Sequence, residues 1–257
     1  MRDLELLETE LECWADAGRV ATFWWRDDDA VDGSPELDLL LQCSADVTVP
    51  VALAVIPALA KRALASCIDT CPQVSVLQHG YAHRNHASAG EKSVEFGSHR
   101  PLPQMIRELV HGREELTALI PDALPVLVPP WNRIDNQLLG ELPRAGFSGL
   151  SAFTARHELE PAPGLRQINC HVDPIDWRGS RGFVGRLAAY EAVATHLRAR
   201  RHACVDSEEP TGILTHHLEH DNGCWEFIRE LLQCTHAHPA VRWLDAARLW
   251  GDRNEKQ

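Results

Sequence analysis

Positive charge is scarce in this chain. Twenty-five Lys and Arg face 37 Asp and Glu, giving a formal net charge of −12 over 257 residues. A nucleic-acid partner needs a basic face to meet its phosphates, so this balance argues against one. It also gives an anionic membrane surface nothing to hold. Long apolar runs are missing, and no stretch reaches the length of a transmembrane helix. Residues 1–12 are acidic and amphipathic, without the basic start and apolar core of a secretory leader. The eight cysteines contain no Cys-x-x-Cys pair. The expectation is a soluble cytoplasmic protein with reduced thiols. Neither GxGxxG nor GxxxxGK[ST] occurs, so nucleotide cofactors gain no support. There is no internal repeat, low-complexity tract or linker, and residues 1–257 read as one domain.

What is present is a 44% apolar chain with a repeating pattern. Leu4, Leu7, Leu11 and Trp14 recur at helical spacing, with Gly18 as the stop. Residues 20–25 are rich in β-branched and aromatic side chains and read as a strand. Pro35 opens a helix to residue 42 behind a Ser34 cap. Residues 49–56 are nearly all apolar, as in a strand buried on both faces. Strands are also expected at 74–77, 125–128, 147–153, 165–169 and 212–215. Helices are expected at 58–68, 102–120, from 134 to 145, at 183–200, at 224–234 and at 243–250. Strand and helix alternate about seven times, which implies a parallel sheet covered by helices.

Polar clusters follow the strands. They are Arg26 to Asp29, His79 to His86, Pro129 to Arg133, Asp173 to Trp177 and His216 to Asp221. In a barrel, strand ends converge on one rim, where active sites form. An open doubly wound sheet gathers only those at its switch point. Five clusters on five strand ends therefore favour a barrel. The polar segment 90–101 is long for a connector and is either a lid or substrate loop or a plain surface loop.

His79 and His83 are four apart, a spacing that on a helical turn puts both rings on one face. With Asp29 they make a His₂–carboxylate set suited to a divalent metal. Zn²⁺ is the ion such a set suits best, with Co²⁺, Ni²⁺, Mn²⁺ and Fe²⁺ chemically admissible. A metal there would acidify a water, and Asp28 is placed to act as base. His216 faces them as an acid for a leaving amine, with a carboxylate behind it to hold the ring. Trp131 and Trp177 offer apolar walls suited to sugar rings.

This ordered set resembles the polysaccharide deacetylases, the NodB-homology group of carbohydrate esterase family 4-like enzymes, over roughly residues 20–220. The family's TFDDG motif looks like Arg26-Asp27-Asp28-Asp29-Ala30, and its H[ST]xxH like His79-Gly80-Tyr81-Ala82-His83, with Gly80 in place of Ser or Thr. The proline motif resembles Val128-Pro129-Pro130-Trp131-Asn132, without the family's preceding Arg. Arg26 or Arg133 stands in for that Arg. The remaining motifs look like Asp173 to Trp177 and Leu214-Thr215-His216.

The resemblance implies an α/β fold, a distorted, incomplete (β/α) barrel of about seven parallel strands. It implies Asp28 as base and Asp29 as ligand, or Asp27 and Asp28 if the register slips by one. It also implies Asp176 orienting the acid, Trp177 lining the pocket, and His216 or His217 as that acid. The expected activity is metal-dependent removal of an acetyl group from an N-acetylated sugar or related amide. A small molecule or oligosaccharide is the partner. The alternatives are hydrolysis of a non-sugar amide and a non-catalytic carbohydrate-binding barrel.

Overall fold

A computed structural model of the chain describes residues 2–251. Helix α1 (Arg2–Asp16) leads into β1 (Ala21–Ala30), α2 (Pro35–Val47), β2 (Val51–Val55), α3 (Arg62–Ile68) and β3 (Val74–His79). Next come α4 (Leu102–Leu119), β4 (Val126–Val128), α5 (Asn136–Leu139), β5 (Gly149–Leu150) and β6 (Arg166–Gln167). The chain continues through α6 (Arg186–Arg201), β7 (Thr211–Thr215), α7 (Asn222–His236), β8 (Val241–Trp243) and α8 (Ala246–Trp250).

All strand pairings are parallel, in the order β6-β5-β4-β3-β2-β1-β7. β8 lies against the first half of β1, pairing Ala21 with Val241 and Phe23 with Trp243. The sheet curls until the chain beyond β6 reaches β7. There a single bridge joins Val172 to Ile213, and Leu214 N–H donates to Val172 O. The result is an incomplete (β/α) barrel of seven parallel strands with helices outside, as the resemblance implies.

β1 is the spine of this sheet, and its alternation builds both layers of the core. Phe23 and Trp25 face the helices, in the cluster that holds Leu7, Leu11, Leu37, Leu53 and Leu231. Trp24 faces the barrel interior with Ala52, Ala54, Leu77, Val126 and Leu214. Two alanines on β2 make room for the indole. Ala246 and Leu249 of α8 close the lower end, and Trp250 meets Trp24 edge-on at 5.3 Å. One end of the barrel is thus sealed by apolar side chains, which leaves the other end for polar chemistry.

Several local expectations change. α2 starts as expected, with Ser34 Oγ accepting from Leu37 N–H, a cap worth about 1 kcal/mol. It runs on to Val47. The helix expected to run to residue 145 is only four residues long and ends at Leu139. Residues 243–250 do not form one helix, because Val241–Trp243 is recruited by the exposed early edge of β1. The acidic triplet does not follow β1 but lies inside it, because β1 extends to Ala30.

Candidate metal centre and active-site cleft

The last residues of β1 decide the site. Strand alternation sends Arg26 and Asp28 to the interior and Asp27 to the outer face. Asp27 is fully buried there. It accepts from Thr215 Oγ1 at 2.6 Å, from His217 N–H at 3.0 Å and from His217 Nδ1. The pairing with β2 then slips: Asp27 opposes Leu53, but Ala30 opposes Val55. One extra residue has been inserted, and Asp29 takes a left-handed φ of 69°. This bulge breaks the alternation and turns both Asp28 and Asp29 into the cleft.

Arg26 is completely buried and grips Asp28 with both ends of its fork. Nε–H donates to Oδ1 at 2.8 Å and Nη2 to Oδ2 at 3.0 Å. The same guanidinium donates to Ser151 Oγ at 2.6 Å, Ala152 O at 3.2 Å and Asn132 Oδ1 at 2.7 Å. Of the two arginines considered for this place, Arg26 holds Asp28. Arg133 donates to Ser93 O at 2.7 Å and lines the cleft.

His79 ends β3 beside this pair. The Val128 carbonyl, 3.0 Å from Nδ1, assigns the ring proton there and leaves the Nε2 lone pair facing the cleft. His83 follows in a turn, not on a helix as its spacing suggests. Gly80 and His83 both have left-handed φ, 58° and 51°. The turn is held by Glu95, whose buried carboxylate accepts from Tyr81, Ala82 and Arg84 N–H at 3.1, 2.8 and 3.3 Å. Segment 90–101 is therefore not a free loop: its Glu95 is the strut of the histidine turn, and its Ser93 lines the cleft. A Cβ on residue 80 would collide with Glu95 Oε2 and sit 2.6 Å from Pro130 Cδ, which is why glycine replaces Ser or Thr.

Asp29 Oδ1 lies 3.1 Å from His79 Nε2 and 3.3 Å from His83 Nε2. These three donor atoms lie within 4.8 Å of one another. Asp29 Oδ1 is buried with no hydrogen-bond partner, an orphan that a cation would satisfy. Burial pushes the Asp29 carboxyl up, but His79, His216 and His83 outweigh it and hold it well below the ordinary range. Burial opposes charge on His79, yet Asp28 and Asp29 outweigh it and raise its pKa. On His83 burial wins and the pKa falls. Two imidazoles and a carboxylate, with one tautomer fixed by a carbonyl, fit a divalent transition ion.

Across a cleft of about 840 Å³ stands His216. Trp177 meets its ring edge-on at 4.8 Å, and His216 Nδ1 is buried without a partner. His217 lies behind the sheet end on Asp27, away from the cleft lining. Asp176 lines the cleft, but its oxygens accept from Gly179 and Ser180 N–H. Asp173 accepts from Trp177 Nε1 at 2.7 Å and, like Asp29, feels the charge of His216. Burial raises the Asp173 pKa, with His216 opposing. Asp173 and Asp176 both line the cleft with His216, and neither carboxylate is hydrogen-bonded to its ring. Trp131 packs on His83 at 4.3 Å, and with Trp177 it lines the same cleft.

His171 is a structural residue, accepting from Gly212 N–H and stacking on His196 at 3.6 Å. Asp221 caps α7 through Cys224 N–H, as a helix start requires. Glu95 and Ser151 are the contributors whose roles sequence reasoning missed. Glu95 stood in a polar segment already singled out, but no spacing tied it to its partners.

No family model matches the chain, and no curated relative matches it either. Solved structures do. A protein from Mycobacterium smegmatis assigned to the polysaccharide deacetylases superposes with a TM-score of 0.64 at 16% identity, over 90% of this chain and 89% of that one. The Bc1960 peptidoglycan N-acetylglucosamine deacetylase gives 0.58 at 14% identity, over 95% and 98%. The peptidoglycan deacetylase PdaC from Bacillus subtilis gives 0.55 at 11%, over 90% of both chains. At such identities the likeness is one of architecture, and across nearly its whole length this chain has the fold of the polysaccharide deacetylases and family 4 carbohydrate esterases.

Proposed function

We propose that the chain is a metal-dependent hydrolase that removes an acetyl group from an N-acetylated sugar or a related small amide. The observation that carries this reading is the convergence of two carboxylates from one bulged strand. Asp28 is clamped by Arg26, Asp29 is grouped with His79 and His83, and His216 lies across the same cleft. A pure binding barrel has no use for all of these.

Asp29, His79 and His83 would hold the ion, with Zn²⁺ the natural choice for two imidazoles and a carboxylate. When bound, such an ion supplies positive charge for a developing oxyanion and makes water acidic near neutral pH. Asp28 takes the proton of the attacking water. Arg26 fixes its orientation with a bidentate grip and keeps its charge paired inside the protein. His216 hands a proton to the departing nitrogen, with the carboxylates of Asp173 and Asp176 lining the same cleft to favour its imidazolium. Trp131 and Trp177 form the walls against which a sugar or other flat group packs.

Acetate release from a panel of N-acetylated sugars and small amides, with Zn²⁺-loaded protein, tests the reading. Asp28→Asn should keep the metal and lose about 10²–10⁴-fold in turnover. Turnover at the wild-type rate by Asp28→Asn would remove Asp28 as the base.

A further inference from the structure

Three arginines line the cleft, Arg133, Arg178 and Arg181, beside five carboxylates. The acidic groups beside them are mostly committed. Asp28 is held by Arg26, Asp29 sits among the histidines, Asp173 accepts from Trp177 Nε1, and Asp176 is bound by turn amides. Among the described residues only Glu219 pairs with one of these arginines. It lies 3.7 Å from Arg181 with both side chains about half exposed, a geometry worth little. Arg178 makes no ion pair with any described residue.

Arg178 and Arg181 are displayed on a built element. The chain from Asp176 to Gly182 is a closed turn in which Asp176 N–H donates to Gly182 O and Arg181 N–H to Asp176 O. An antiparallel bridge between Ile175 and Phe183 anchors its base. Arg181 lies over the Trp177 ring, 5.2 Å from its centroid, and His216 meets the same ring edge-on. One indole therefore separates Arg181 from the group that would protonate the leaving nitrogen. Guanidinium groups arranged in this way recognise carboxylate or phosphate oxygens.

We infer that the amine half of the substrate carries an anionic group, a carboxylate or a phosphate, received by Arg178 and Arg181. This rests on the amide-hydrolase reading, because the direction of the leaving amine is set by His216. The anion is the part of the substrate that stays with the amine after the acyl group leaves.

The test compares N-acetylglucosamine, N-acetylglucosamine 6-phosphate and N-acetylmuramic acid as substrates. Wild type and the Arg178→Gln/Arg181→Gln variant are assayed at low and high salt. In wild type at low salt, one or both anionic compounds should exceed the neutral sugar by about tenfold or more in kcat/KM, the worth of one charge-assisted hydrogen bond. Which of the two gains tells phosphate from carboxylate. That ratio should fall toward one in the variant and with added salt. A ratio near one in wild type, or one that survives in the variant, overturns the inference. A second arm measures calorimetric binding of glucosamine, glucosamine 6-phosphate and muramic acid, which needs no turnover. If an anionic amine binds more tightly and the preference vanishes in the variant while no compound is hydrolysed, the anion subsite stands and the hydrolase reading fails. Hydrolysis without any preference in either arm has the opposite meaning.

Discussion

The Arg26–Asp28 pair allows a quantitative prediction, because both partners are out of water and their hydrogen bonds are defined. Arg26 is 0% exposed and Asp28 2%. Arg26→Met would leave the Asp28 carboxylate without its counter-charge. Breaking a buried pair from one side costs about 3–5 kcal/mol, a large part of the roughly 5–15 kcal/mol that holds a domain together. In an Asp28→Asn background the same change strands no charge, so its cost should drop by about 2 kcal/mol. The assay is urea unfolding of the four proteins in chelator, which keeps metal binding out of the comparison. Arg26→Lys provides a folded check on catalysis. It keeps the charge but not the fork, so kcat should fall at least about tenfold with KM nearly unchanged. Costs that add to within about 0.5 kcal/mol, or an Arg26→Lys enzyme with wild-type kcat, would refute the idea that Arg26 and Asp28 act as one unit.

Three further outcomes are expected. Gly80→Ser, which restores the residue type of the H[ST]xxH motif, should weaken Zn²⁺ binding and lower the melting temperature, because φ is 58° and the new Cβ would press on Glu95 and Pro130; unchanged zinc affinity in a titration would contradict this. Zinc affinity should fall with acid, because Asp28 and Asp29 raise the pKa of His79 against its burial, and a proton competes for Nε2; the Kd should rise about tenfold per pH unit below that pKa, and a flat profile from pH 7.5 to 5.5 would refute it. The third outcome concerns His196, whose pKa is held down to about 2 by burial, with repulsion from His171 and Arg200. The unfolded chain takes up this proton below about pH 6.5 while the folded chain does not, so stability is present above that pH and falls as pH drops, by up to about 1.4 kcal/mol per unit. His196→Gln should flatten the decline between pH 6.5 and 4.5 in metal-free thermal melts, and an identical decline would remove His196 as its source.

Much of this could be read from residues alone, for physical reasons that differ from place to place. β2 is legible because all five residues of Val51–Val55 are buried, and a strand covered on both faces must be apolar throughout. β8 is not, because three residues with an exposed Arg242 carry no period, and their pairing depends on how far β7 leaves β1 uncovered. Asp28 and Asp29 could be named, yet their register could not be fixed from the triplet, since the bulge that turns both inward is a property of the β1–β2 pairing. The spacing of His79 and His83 is compatible with a helix and with a turn. Gly80, with its left-handed φ, is the local sign of a turn. Asp173 and Asp176 are chemically alike in sequence. What separates them is that the turn amides of Gly179 and Ser180 claim Asp176.

Metal content is the most direct test of the account, measured by mass spectrometry on protein purified without a histidine tag and dialysed against Zn²⁺. Wild type should hold about one equivalent, while His79→Ala and Asp29→Ala should each hold none, with the far-ultraviolet circular dichroism of all three alike. A wild-type chain that stays empty, or variants that keep the ion, would contradict a site built from Asp29, His79 and His83.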